Sequence, residues 1–123
     1  MTKKILAVDD EEDIRMVVKD VLESSGFKVD TAKGGQEALK KMKKEKFDLV
    51  LIDFFMPEMS GRELLEAIKK DSQLKKTKCA FLTVASFPER GIEKLKKLGI
   101  LDYIKKPFDN EDLINRVKKM LDQ

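Results

Sequence analysis

The sequence predicts one α/β domain spanning residues 1–123, a doubly wound parallel sheet of five strands with five helices. Three observations carry that expectation. Short apolar, β-branched runs alternate five times with stretches whose apolar residues recur at helical spacing. Several of those runs are apolar throughout, as in strands buried on both faces. Right-handed crossovers between parallel strands then place helices on both sides of the sheet. All strands end at one edge, and ligands of open α/β sheets bind outside that edge.

The first strand is Lys4-Ile5-Leu6-Ala7-Val8, and it runs straight into Asp9-Asp10-Glu11-Glu12. Four adjacent acids repel one another unless a cation sits among them. The helix that follows accounts for part of the cluster. Ile14, Val17, Val18, Val21 and Leu22 form its apolar stripe, so Glu11 and Glu12 fall in or near a first turn where the macrodipole favours acids. Asp9 and Asp10 are left to explain. Ser24-Ser25-Gly26 ends the helix with glycine where a C-cap wants one.

Phe27 to Ala32 alternates, as expected of a strand nearer the sheet edge. Lys33-Gly34-Gly35 makes a turn that lacks both the Rossmann and the P-loop spacing, which argues against nucleotide binding there. Ala38, Leu39 and Met42 give the second helix its apolar face. Lys40, Lys41, Lys43, Lys44 and Glu45 read as its solvated face.

The third strand, Phe47 to Asp53, is an apolar run that ends on a carboxylate. A carboxylate delivered there by a stiff, buried strand is a candidate for chemistry; the plainer reading is a turn cap. Met56-Pro57-Glu58-Met59-Ser60-Gly61 is a loop, and Leu64, Leu65 and Ile68 mark the third helix. Cys79 to Val84 forms the fourth strand, with a hydroxyl, Thr83, near its end. Pro88 opens a fourth helix whose Ile92, Leu95 and Leu98 face inward before Gly99 stops it. Asp102-Tyr103-Ile104 is a short fifth strand followed by Lys105-Lys106-Pro107-Phe108. Asp109 can cap the last helix, where Leu113, Ile114, Val117 and Leu121 pack inward.

Composition removes several function classes. A net charge of +3 against 40% charged residues, with lysines and acids interspersed, predicts a solvated surface and no nucleic-acid stripe. The absence of histidine removes an imidazole triad, a His-ligated metal and a phosphohistidine. Cys79 is the lone cysteine and reads as a small buried hydrophobe in a reducing compartment. No apolar run approaches membrane-spanning length and no signal peptide opens the chain, so a soluble, cytoplasmic protein is expected. Heavy Lys and Glu usage without Trp or His is a composition seen in hyperthermophile proteins.

The shared strand edge therefore gathers Asp9, Asp10, Asp53, Thr83 and Lys106. Three carboxylates, a hydroxyl and a lysine are the parts for holding a hard divalent cation together with a phosphoryl group.

On Val8-Asp9-Asp10-Glu11, Asp53 with Met56-Pro57 and Gly61, Thr83, and Lys106-Pro107-Phe108, the chain resembles a response regulator receiver domain of two-component signalling, of the stand-alone type. The likeness covers essentially all of the chain. It implies the flavodoxin-like strand order 2-1-3-4-5. It implies that Asp53 is the phosphoacceptor and that Asp10, Asp53 and the backbone carbonyl of Phe55 bind Mg²⁺, with Asp9 acting through a metal-bound water. Lys106 would pair with phosphoryl oxygens and be joined to Pro107 by a cis peptide. Thr83 and Tyr103 would switch the surface of the fourth helix, fifth strand and fifth helix for a downstream protein target. A histidine kinase or phosphotransfer protein would supply the donor imidazole. It would dock over the first helix and the loop after the fifth strand, with Arg15, Met16, Lys19 and Phe108 as contacts. No direct contact with nucleic acid or membrane is expected.

One departure from the family pattern stands out. The order Thr83-Val84-Ala85-Ser86 places Val84 directly after the hydroxyl, and the interval from Thr83 to Lys106 is one residue longer than usual. Either the loop after the fourth strand carries an insertion, or Val84 occupies the hydroxyl position. Thr83 stands at the usual interval after Asp53. An aspartyl phosphatase of the haloacid dehalogenase type needs a second Asp two residues after the nucleophile, where this chain has Phe55. A pseudo-receiver that scaffolds without phosphorylation is the other alternative. A chain cut from a longer one carrying an output domain would read the same.

Overall fold

In the computed structural model, residues 2–84 and 86–123 are described. The chain alternates β1 (Lys4–Val8), α1 (Glu12–Glu23), β2 (Lys28–Ala32), α2 (Gly35–Lys44), β3 (Leu49–Asp53), α3 (Gly61–Lys70), β4 (Lys78–Thr83), α4 (Glu89–Leu98), β5 (Ile100–Lys105) and α5 (Asn110–Leu121). The strands form one parallel sheet in the order β2-β1-β3-β4-β5. The expected fold is the observed one.

Strand alternation divides the interior in two. Leu6, Val8, Val50, Ile52, Cys79 and Phe81 face α2, α3 and α4, where Ala38, Met42, Leu64, Leu65, Ile68 and Leu95 complete one core. Ile5, Ala7, Leu49, Leu51, Ala80 and Leu82 face α1 and α5, packing on Val18, Leu22, Leu113, Val117 and Met120. The centre of the sheet is dry on both faces: every residue of β3 is buried. A strand so held gives its last residue, Asp53, a fixed position.

The helices begin and end as their terminal residues dictate. Ser60 caps α3 with a reciprocal capping box, its Oγ accepting from Glu63 N–H while the Glu63 carboxylate accepts from Ser60 N–H. Asp109 accepts from Glu111 N–H and caps α5. Gly99 closes α4 at φ 115°, a left-handed conformation that costs a glycine little.

Several boundaries and faces differ from expectation. Strand β5 begins at Ile100, not Asp102, because the apolar pair Ile100-Leu101 follows Gly99 with no turn between and pairs at once with Cys79. Strand β4 stops at Thr83, leaving Val84 outside it, and β3 begins at Leu49, with Phe47 buried before it. Val17 does not face inward: it is 43% exposed. It lies about 100° around α1 from Val18, whereas Ile14, Val21 and Leu22 fall within a narrower sector around Val18. Lys41 is not simply solvated; its ammonium bridges Asp30 at 3.0 Å and the Thr31 carbonyl at 2.5 Å, tying α2 to the edge strand. Among the described residues, no helix is long and apolar enough to cross a membrane.

Candidate functional site

At the C-terminal edge of the sheet, β1 and β3 each deliver an acid from the end of a buried strand. Asp9 and Asp53 are 3% and 5% exposed, while Asp10 is exposed. Backbone bonds hold both strand ends: Asp9 N–H donates to the Ala32 carbonyl at 3.1 Å, and Phe54 N–H donates to the Leu82 carbonyl at 3.2 Å. The Asp9 carboxylate also orders the turn that precedes α1, its Oδ1 accepting from Glu11 N–H at 2.9 Å. Arg15, one turn into that helix, donates from Nη1 to the Asp9 carbonyl at 2.7 Å.

The loop after Asp53 folds back tightly at Gly61. Its N–H donates to the Phe54 carbonyl at 2.9 Å. A Cβ on Gly61 would stand 2.4 Å from the Asp53 carbonyl oxygen and 2.8 Å from Phe54 Cα, both backbone atoms. Only glycine permits that approach.

Lys106 reaches the acids from the other side. Its peptide with Pro107 is cis, and its N–H donates to the Thr83 carbonyl at 2.7 Å. Its ammonium lies 2.7 Å from Asp9 Oδ2 and 3.4 Å from Asp53 Oδ1. Burial alone would lower the Lys106 pKa, but the hydrogen bond and charge of Asp9, with the charge of Asp53, outweigh it and raise it. The Asp53 carboxyl moves up to about 7, through burial first and the Asp9 charge second, with Lys106 opposing both.

Carboxylate oxygens of Asp9, Asp10 and Asp53 lie within 4.8 Å of one another. One buried ammonium against three such groups leaves a deficit of two positive charges, and oxygen-only donors suit a hard cation. The residues therefore fit Mg²⁺. Receiver domains bind Mg²⁺ at an acidic pocket of this kind.

Thr83, at the end of β4, is fully buried, whereas Val84 is 64% exposed. Ala85 lies outside the described residues. From Cys79 to Phe81, β4 advances two residues while β5 advances three, from Ile100 to Tyr103. This bulge places one additional residue in β5 and leaves Thr83 level with Lys105.

Tyr103 is half-buried on β5 and belongs to an aromatic group that the sequence reading missed. Its ring meets Phe87 edge-on at 5.7 Å, Phe87 meets Phe54 at 5.2 Å, and Phe54 also meets Phe81 and Phe55. Phe87 had no periodicity to betray it, since it sits in the connection between β4 and α4. Of the expected partner contacts, Met16 is 56% exposed and Lys19 is also exposed. Arg15 is engaged with the Asp9 carbonyl and Phe108 packs against the α1 and α5 side of the core, so neither is a freely offered side chain.

Comparison with known proteins agrees with this geometry. The model of the response regulator receiver domain matches residues 5–118. The sporulation initiation phosphotransferase F of Bacillus subtilis is 35% identical over 123 residues, covering 98% of this chain and 95% of its own. The alkaline phosphatase synthesis transcriptional regulatory protein PhoP of the same organism is 39% identical but is matched over 49% of its length. The chain thus spans about half the length of several curated relatives. The solved structure of the chemotaxis protein CheY4 of Vibrio cholerae superposes with a TM-score of 0.90 at 37% identity, covering 98% of this chain and 99% of that one. With the acid cluster, the cis-proline lysine and the 2-1-3-4-5 sheet matched in one chain, the protein belongs to the response regulator receiver domain family of two-component signalling.

Proposed function

We propose that residues 1–123 act as one phosphoacceptor domain in which Asp53 takes a phosphoryl group from a histidine kinase or phosphotransfer protein. The observation that carries this reading is the buried strand-end Asp53 with Lys106 Nζ 3.4 Å away and two further carboxylates beside it. Receiver domains are signalling domains that interact with such donors. Residues 1–123 contain no histidine, so an imidazole donor lies outside this sequence.

An Asp53 oxygen attacks the phosphorus, the P–N bond breaks, and its electron pair returns to the imidazole of the donor. Asp10, Asp53 and the Phe55 carbonyl would hold Mg²⁺, with Asp9 acting through a bound water. The chemistry a bound Mg²⁺ supplies is charge neutralisation between carboxylate and phosphoryl oxygens. Lys106 pairs with a phosphoryl oxygen, exchanging part of its contact with Asp53 for it. Thr83 donates its hydroxyl to another and draws the β4–α4 connection inward. Tyr103 then turns, and the surface of α4, β5 and α5 changes shape for a downstream protein target. The complete set of Asp9, Asp10, Asp53 and Lys106 argues against a non-phosphorylated scaffold.

Incubation with Mg²⁺ and acetyl phosphate tests the reading. Base-labile phosphate should appear on the wild type and be absent from Asp53→Asn. Labelling of that variant at the wild-type level would overturn it.

A further inference from the structure

The edge of the sheet opposite the acid cluster opens into a cleft of about 710 Å³. It is walled by the turn between α2 and β3, the connection between α3 and β4, and the end of α5. Six lysines line it: Lys3, Lys43, Lys44, Lys46, Lys76 and Lys78. Against them stand only two carboxylates, Glu45 and Asp48. The lining thus carries +4, one unit more than the +3 of the whole chain. Scattered along the sequence, these lysines read as solvated surface; the fold collects them around one concavity.

The acids of the cleft are already engaged. Glu45 pairs with Lys4 at 2.6 Å, and Asp48 accepts from Lys4 N–H at 2.8 Å. Two of the lysines are engaged as well: Lys43 pairs with Asp71, and Lys78 donates to the Met120, Leu121 and Gln123 carbonyls that end α5. Lys3, Lys44, Lys46 and Lys76 are exposed, and no ion pair found among the described residues includes them. Like charges around a concave, low-dielectric wall concentrate the field there and raise the local concentration of anions.

We propose that this cleft binds an extended acidic segment, rich in Asp and Glu, of a partner polypeptide. Charge complementarity gives the sign of the partner, and two features give its class. The only aromatic lining residue, Phe47, is 3% exposed, and Lys4 Nζ lies 5.5 Å from its ring centroid, so no face is open for a base to stack on. Interspersed Glu45 and Asp48 break the lysine row, which a continuous phosphate backbone would feel as repulsion. A peptide carrying spaced carboxylates suffers neither of these penalties. The cleft lies a full strand length, roughly 17 Å, from Asp53, so the inference stands independently of which residue is phosphorylated.

The test is fluorescence anisotropy with a fluorescein-labelled peptide of alternating Glu and Gly residues. The wild type is compared with a Lys44→Glu, Lys46→Glu, Lys76→Glu variant. A control of equal net charge carries Lys94→Glu, Lys96→Glu and Lys97→Glu on the exposed side of α4. The cleft variant should bind about tenfold or more weakly and the control within about threefold, and raising NaCl from about 50 to about 300 mM should weaken wild-type binding. Three results would overturn the proposal: no binding by the wild type at low salt, equal losses in the two variants, or displacement of the peptide from wild type by single-stranded DNA at lower concentration than by unlabelled peptide.

Discussion

The Lys106 ammonium sits closer to Asp9, at 2.7 Å from Oδ2, than to Asp53, at 3.4 Å from Oδ1. This lysine is thus first a partner for a buried acid whose carboxylate forms no other ion pair among the described residues. Lys106→Met should leave Asp9 and Asp53 buried together without compensation. Breaking a buried pair by removing one partner costs about 3–5 kcal/mol. Urea unfolding in EDTA should show a loss of that order, and Mg²⁺ should restore part of it by entering the acid cluster. A variant as stable as wild type would mean that the two carboxylates shed their charge, or turn outward, at little cost.

Asp53 gives a pH dependence whose sign follows from its environment. Its carboxyl titrates near 3.8 when unperturbed and near 7 in the fold. The folded state therefore holds the proton more tightly, and the stabilisation from this group is complete below about pH 4 and lost as pH rises through 7. Asp53→Asn removes the titration. In EDTA the variant should gain on the wild type progressively between those limits, by on the order of 4 kcal/mol at pH 8. Denaturation curves of both proteins at several pH values check this. A stability difference that stays flat with pH would show that Asp53 is no more strained in the fold than in the open chain.

Much of this site was legible in the sequence because each acid ends an apolar run. Val8 to Asp9 and Ile52 to Asp53 are abrupt changes from buried to charged, and a parallel sheet aligns such ends at one edge. Lys106 was legible through its proline. Other features depend on tertiary placement that no local pattern carries. The extra residue of β5 shows only in its register against β4, since Ile100 to Lys105 contains no glycine or proline to mark a bulge. The ring contacts of Phe87 join three separate segments of chain, and the lysines of the opposite edge come from three segments as well. Val17 satisfied the helical spacing and still lies outside the buried sector, because periodicity sets a direction and not the width of the face that is covered.

Gly61 should be intolerant of even one carbon. An alanine Cβ would collide with the Asp53 carbonyl oxygen and Phe54 Cα, and backbone cannot yield as a side-chain tip can. Relief requires the Asp53–Phe54 segment to move, which shifts the acceptor carboxylate as well. Gly61→Ala should cost about 1–3 kcal/mol in stability, the range for overpacking. It should also slow phosphoryl uptake from acetyl phosphate more than tenfold, since small misplacements of a reacting group are costly. Wild-type uptake in this variant would show that the loop relaxes without disturbing Asp53.

Phe55 bears on how long a phosphorylated state lasts. Hydrolysis of an acyl phosphate on Asp53 needs a water aligned with the bond that breaks, and the side chain two residues along the chain is placed to help orient it. A phenyl ring cannot hydrogen-bond that water. The ring is 55% exposed and rests edge-on against Phe54, at 5.0 Å between centroids. It is thus an open, apolar side chain, and what it withholds is a polar contact more than a barrier. Phe55→Asn should shorten the phosphate lifetime by about tenfold or more, the scale of one well-placed water. Phe55→Ala separates the two ways a ring can act: if only polarity is missing, Ala keeps the wild-type lifetime, and if the ring excludes water, Ala shortens it as Asn does. The exposure of the ring predicts the first result. Should Asn lose phosphate no faster than wild type, Phe55 has no part in the lifetime and its exposed ring is better tested as a contact for a partner, by measuring transfer rates from a phosphodonor protein to Phe55→Ala.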